Sequence, residues 1–181
     1  MHFLRSLFVV LAMAGTGRAA FAQDSALARL KADLSANPSA TQVLTQWCGA
    51  RKLASPAVIR AMRDKANEKP ATAEVRALLG AGADEPIRYR RVKLMCGTHI
   101  LSEADNWYRT GALTGAMNKT LDETDTPFGT VVRPLNFTRR TLDANTNSDA
   151  ATVLRVRAVL LAGTAPFSLV VENYRPVLLG R

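Results

Sequence analysis

Two parts of the chain carry side chains whose types and spacing could do chemistry. Ser102-Glu103-Ala104-Asp105-Asn106-Trp107-Tyr108 is the densest polar and aromatic stretch in the sequence. A strand ending in Asp, Asn, Trp and Tyr could line a pocket for an aromatic acid. Read without a pocket, the same stretch is a strand end with paired surface charges and two half-buried rings. The second feature is Glu172. On the hairpin register given below it falls opposite Arg155, with Arg157 one pair along, which makes it an exposed ion pair worth about 0.2–1 kcal/mol. Arg133, Arg139 and Arg140 surround a central turn and could hold an anionic ligand, or simply solvate the surface.

The residues that are scarce exclude more than those that are plentiful. There are two histidines and two cysteines in 181 residues. His2 lies in a segment read below as removable, so His99 is the remaining imidazole. A His-rich metal site is thereby excluded, and a Ser-His-Asp arrangement would depend on His99 alone. His99 flanks a hairpin turn and is given no role. Cys48 and Cys96 cannot build a zinc site by themselves. They either pair as a disulfide, as an even count in an exported chain suggests, or stay as two buried thiols. No metal and no cofactor is expected.

The elements that must position these residues follow from pattern. Met1–Arg5 is a short basic start, Ser6–Ala14 an apolar run, and Ala20-Phe21-Ala22 an A-x-A site, the three parts of a secretory signal peptide over residues 1–22. The run is too short to span a bilayer, so no stable membrane span is expected in the mature protein. Removing the segment takes Arg5 and Arg18 and no acid, lowering the net charge from +9 to +7. That charge favours anionic partners. Nucleic acid is not expected: export separates the chain from it, and no binding motif is present.

Residues 23–84 read as a helical region. Leu27, Leu30 and Leu34 share a helical face that ends at Asn37-Pro38. Ser39 with Gln42 looks like a capping box opening a second helix over Val43, Leu44 and Trp47. Ser55-Pro56 predicts a third helix, burying Val58, Ile59 and Met62. Thr72 caps a short fourth carrying Val75, Leu78 and Leu79.

From Glu85 the texture becomes that of strands. Residues 88–96 and 99–108 flank Gly97-Thr98, and residues 152–162 and 165–174 flank Gly163-Thr164; a glycine first in a two-residue loop suits a type II′ hairpin. A helix over residues 115–123 and a strand over 136–145 lie between the hairpins. Simple pairing sets Leu160 opposite Phe167, Ala158 opposite Leu169 and Val156 opposite Val171, an apolar core face. In the first hairpin it sets Leu94 opposite Leu101, Val92 opposite Glu103, Arg90 opposite Asp105 and Arg88 opposite Trp107. Glu103 then shares a face with Leu94, Cys96 and Leu101; on a core face it would be paired or raised in pKa, and so a candidate site residue.

Three short stretches in this order resemble one family. Arg91-Val92-Lys93-Leu94 before a tight turn resembles the first hairpin of the chorismate pyruvate-lyases and their relatives, the ligand-binding domains of some bacterial transcription regulators. Thr126-Pro127-Phe128-Gly129 followed by Phe137-Thr138-Arg139 resembles that family's TPLG…LTR stretch, and Leu169-Val170-Val171-Glu172 its last strand. The likeness covers about residues 85–179. It implies that Glu172 is the acid at a leaving enolpyruvyl group and that a second-strand cation binds a substrate carboxylate. At that cation's position stands Asn106, which cannot pair a carboxylate as an arginine does. Arg139, Arg155 and Arg157 are the candidates to supply the charge.

The expected fold is α+β: an antiparallel sheet of about five to six strands with packed helices, chorismate lyase-like over residues 85–181, preceded by the helical region. The expected function is an exported domain that binds a small aromatic or cyclic carboxylate without obligatory catalysis. The alternatives are a carbon–oxygen lyase giving 4-hydroxybenzoate and pyruvate, and a cell-envelope protein-interaction module. The site residues are Glu172 as catalytic group, Asn106, Arg139, Arg155 and Arg157 as substrate ligands, and Glu103, Trp107 and Tyr108 as pocket wall.

Overall fold

A computed structural model describes residues 16–146 and 151–180. Within them the chain runs α1 (Thr16–Ala36), α2 (Ala40–Ala50), β1 (Ile59–Asp64), α3 (Ala73–Leu79), β2 (Ile87–Cys96), β3 (His99–Arg109), α4 (Gly115–Glu123), α5 (Phe128–Val131), β4 (Thr138–Thr146), β5 (Leu154–Ala162) and β6 (Ala165–Tyr174). Most of the expected signal peptide lies outside the described residues; its last part, from Thr16, belongs to α1. No helix among the described residues is long and apolar enough to cross a membrane.

The described strands form one antiparallel sheet of six in the order β1-β2-β3-β6-β5-β4. One face packs against α2, α4 and α5 through clusters that include Leu44, Val92, Leu94 and Val156, and Tyr108, Phe128 and Phe167. The opposite face packs against α3 through Val75, Leu79, Trp107 and Leu169. The middle strands β3 and β6 are therefore buried on both sides, which is why their sequences show little alternation.

Local signals set most boundaries. Ser39 Oγ accepts from the Gln42 amide at the start of α2, while the Ser39 amide donates to Asn37 Oδ1. Thr72 and Thr114 cap α3 and α4 in the same way. Asp33 on α1 accepts from Trp47 Nε1 on α2 at 2.8 Å. Cys48 on α2 and Cys96 on β2 are disulfide-bonded, with Cα atoms 6.1 Å apart. The helix expected after Ser55-Pro56 is instead the edge strand β1, paired with β2 from Ile59↔Cys96 to Asp64↔Arg91. Its first residue, Ile59, is β-branched and suits a strand, as does Val58 just before it, and the open edge of β2 takes up its backbone hydrogen bonds. The region expected to be helical over residues 23–84 thus gives the sheet one strand and a covering helix on each face, α2 on one and α3 on the other.

Both hairpins turn where expected, with Gly97 at φ +55° and Gly163 at φ +60°. Their registers, however, differ from simple pairing. A bulge at Leu94/Met95 sets Leu94 opposite Ser102, and every pair beyond it moves by one: Val92↔Ala104, Arg91↔Asp105, Arg90↔Asn106 and Arg88↔Tyr108. A second at Leu160/Leu161 sets Leu160 opposite Ser168, Val156 opposite Glu172 and Arg155 opposite Asn173. One extra residue in a strand exchanges the faces of all that follow.

Candidate ligand-binding site

The two bulges decide which polar groups are inside. Opposite Val156, Glu172 shares the core face with Ala158 and Leu160 and is 6% exposed. Opposite Arg90, Asn106 shares that face with Ala104 and is 4% exposed, as is Arg90 itself. Arg139, opposite Leu160 on β4, brings in a second guanidinium. Arg90, Asn106, Arg139 and Glu172 all line one cavity of about 50 Å³. The rest of its wall is largely apolar, from Val92, Leu94, Ala104, Phe137, Leu160 and Val170, and it is roofed by residues 38–41 and 128–129.

Hydrogen bonds fix how these groups point. Arg139 Nη2 donates to Glu172 Oε2 at 2.5 Å, and the Tyr174 hydroxyl donates to the same oxygen at 2.8 Å. Burial opposes the charge of Arg139, but the Glu172 carboxylate outweighs it and holds the guanidinium firmly protonated. Burial, reinforced by the Glu172 charge, pushes the Tyr174 phenol well above its usual range. Asn106 Oδ1 accepts from the Ser168 hydroxyl at 2.6 Å, which turns its NH₂ group away from Ser168. Arg90 Nη2 reaches the Thr126 carbonyl at 3.3 Å. Burial, and after it the charge of Arg63, lowers the Arg90 guanidinium to about 10.

Among the described residues, three buried nitrogens of this cavity have no hydrogen-bond partner: Arg90 Nε, Asn106 Nδ2 and Arg139 Nε. All three are donors. A buried donor left unmatched costs about 1–3 kcal/mol, and proteins pair the great majority of such groups. Three in one cavity, two of them on guanidinium groups, are donors from which an oxygen-rich anion could accept.

Of the site residues expected from sequence, Glu172, Asn106 and Arg139 come together here. Arg155 and Arg157 do not: they stay on the face of β5 that points away from the cavity, and the bulge in β6 takes Glu172 off that face; Arg157 pairs there with Glu74 at 2.5 Å and Asp143 at 3.5 Å. Glu103 also lies opposite its expected face, because the first bulge sets it across from Lys93; it binds Arg91 at 3.3 Å and Arg175 at 2.5 Å. Trp107 packs beside Tyr89 on that opposite face and donates to the Lys69 carbonyl. Tyr108 is on the site face but packs under Phe128 rather than lining the cavity. Arg88, expected over Trp107, pairs with Asp122 instead. Arg90 is the residue that sequence reasoning missed, since simple pairing matched it with Asp105 as a cross-strand ion pair; Asp105 in fact accepts from Lys69, Tyr89 and Arg91.

Both stretches that carried the central part of the family resemblance supply cavity wall, Phe128 and Gly129 from the first, Phe137 and Arg139 from the second. The effector domain of PhnF from Mycobacterium smegmatis superposes with a TM-score of 0.52 over 76% of this chain and 88% of that domain, at 12% identity. The PhnF structure itself gives 0.51 over 76% of this chain and 63% of PhnF, also at 12% identity. The fold is chorismate lyase-like. No family model matches the sequence. An uncharacterised protein, y4mC of Sinorhizobium fredii, is 50% identical over 119 residues, 65% of this chain. The chain spans half the length of that relative.

Proposed function

We propose that this protein binds a small carboxylate in the cavity between the sheet and the α2–α5 roof, as a receptor rather than a catalyst. The observation that carries this reading is the set of three unmatched donors on Arg90, Asn106 and Arg139. A carboxylate has two oxygens with about four acceptor positions, enough for all three. Kinship of fold with an effector domain supports the reading without fixing the ligand. The family resemblance points to an aromatic or cyclic acid.

The lyase alternative asks Glu172 to give a proton to a leaving group. Its Oε2 instead accepts from both Arg139 and Tyr174, so the carboxylate serves to hold Arg139 in place. The cation that the family places on the second strand is replaced by Asn106, with Arg90 directly across the ladder on β2. That arrangement keeps an anion-binding charge and gives up the acid. We also read the protein as exported, and the bridged cysteines favour an oxidising compartment.

Calorimetric titration of the full chain with acetate, propionate, pyruvate, benzoate and 4-hydroxybenzoate tests the binding. At least one should bind, and Arg90→Met should abolish it. Saturation by none of them at millimolar concentration would overturn the reading. Incubation with chorismate should give no 4-hydroxybenzoate above the uncatalysed rate; product formation lost in Glu172→Gln would restore the lyase.

A further inference from the structure

Size and charge narrow the ligand further, on the footing that the cavity is the anion site. One buried water needs about 10–15 Å³ of cavity space, so 50 Å³ has room for about three to five non-hydrogen atoms. The mouth gives little more. A Cβ placed on Gly129 would stand 3.0 Å from Thr41 Oγ1 and 3.1 Å from Ser39 Oγ, so α5 and the start of α2 already touch where a larger ligand would pass. Beyond that contact lies an open groove of about 660 Å³ that shares Ser39, Thr41, Gly129 and Phe137 with the cavity and is lined further by Gln42, Thr45 and Gln46.

The charges lining the cavity are two guanidinium groups and one carboxylate, a balance of one positive charge that a single anionic group neutralises. Arg139 already shares its charge with Glu172 at 2.5 Å, which leaves the Arg90 guanidinium as the cation a ligand would neutralise. A dianion would set its second charge near Glu172 with no cation to match it. The apolar remainder of the wall suits a short hydrocarbon stem.

The geometry points to a short-chain monocarboxylate of about two or three carbons, of the acetate or propionate class, as the ligand. Its carboxylate accepts from Arg90 Nε, Asn106 Nδ2 and Arg139 Nε, and its stem lies against Val92 and Leu160. This departs from the aromatic or cyclic acid that the family resemblance implies: a ring exceeds the cavity's volume, and phosphate its charge.

The experiment is calorimetric titration of the full chain with acetate, propionate, butyrate, pyruvate, benzoate, 4-hydroxybenzoate and inorganic phosphate. The best short-chain acid should bind at least about tenfold more tightly than benzoate or phosphate, a difference of about 1.4 kcal/mol. Val92→Ala, which takes two methyl groups from the wall, should move the preference to a chain one carbon longer. Benzoate or 4-hydroxybenzoate binding as well as the short acids would overturn the size argument and leave the anion site standing. Tighter binding of phosphate would overturn the charge argument alone. Binding of none would remove both this inference and the function on which it rests. The wild-type series decides the matter even if Val92→Ala does not fold.

Discussion

Replacing Arg90 with methionine should make the ligand-free protein more stable. Arg90 is 4% exposed, its Nε is unmatched, and its Nη2 bond to the Thr126 carbonyl is 3.3 Å long. Relieving a buried unmatched donor returns about 1–3 kcal/mol. The bond to Thr126 contributes about 1 kcal/mol, and Thr126 is only partly buried, so water can take over its carbonyl. Methionine keeps most of the stem's packing without the charge. The balance is a gain of up to about 2 kcal/mol, the direction found when buried charges give way to apolar groups of similar volume. With a urea slope of about 2 kcal/mol/M, the midpoint should rise by up to about 1 M. Urea titrations followed by circular dichroism, in buffer free of carboxylates and with the disulfide intact, provide the assay. A midpoint lowered by a similar amount would refute the argument. Arg90 would then be a structural clamp on the loop at residues 122–126, and its unmatched nitrogen would say nothing about a ligand.

The neighbouring substitution should act in the opposite direction. Glu172→Gln leaves Arg139, whose side chain is 4% exposed, without its counter-charge, and should lower stability by about 3–5 kcal/mol; a loss under 1 kcal/mol in the same urea assay would mean the pair is not buried as described. Reducing the Cys48–Cys96 bridge, which spans 48 residues, should lower stability by about 4 kcal/mol on the chain-entropy account, and an unchanged midpoint in reductant would count against a formed bridge. Burial is the leading cause that raises the phenols of all three tyrosines, Tyr89, Tyr108 and Tyr174, above 10 in the folded state. The folded protein therefore holds protons that the unfolded chain releases, so this stability is fully present below about pH 10 and is lost as pH rises further. Absorbance at 295 nm should show no tyrosinate until unfolding begins, whereas a reversible step near pH 10 in folded protein would contradict the burial. Asp105→Asn should cost about 2–3 kcal/mol in thermal or urea unfolding, since this carboxylate accepts from Lys69, Tyr89 and Arg91 on the α3 side of the sheet; a neutral result would show those contacts to be solvated.

Much of the architecture is legible in the residues themselves. Caps at Ser39 and Thr72 act over three residues, and glycines at 97 and 163 meet a local demand for positive φ, so the sequence alone locates α2, α3 and the hairpin turns. The ordered stretches around Phe128, Phe137 and Glu172 point to the fold and to half of the cavity wall. The segment Ile59–Asp64 escapes such reading because its apolar spacing suits a helix as well as a strand, and only the open edge of β2 favours the strand. The site itself is decided by two bulges. Period-two alternation carries no mark of where one residue is added, and a single addition in each hairpin brings Asn106 and Glu172 onto the core face beside Arg90, turns Glu103 away from it, and separates Glu172 from Arg155 and Arg157. Residue types and local turns follow from the sequence because the interactions that set them span a few positions. Which charges share a cavity depends on strand register, and that is settled only when the whole sheet buries its faces.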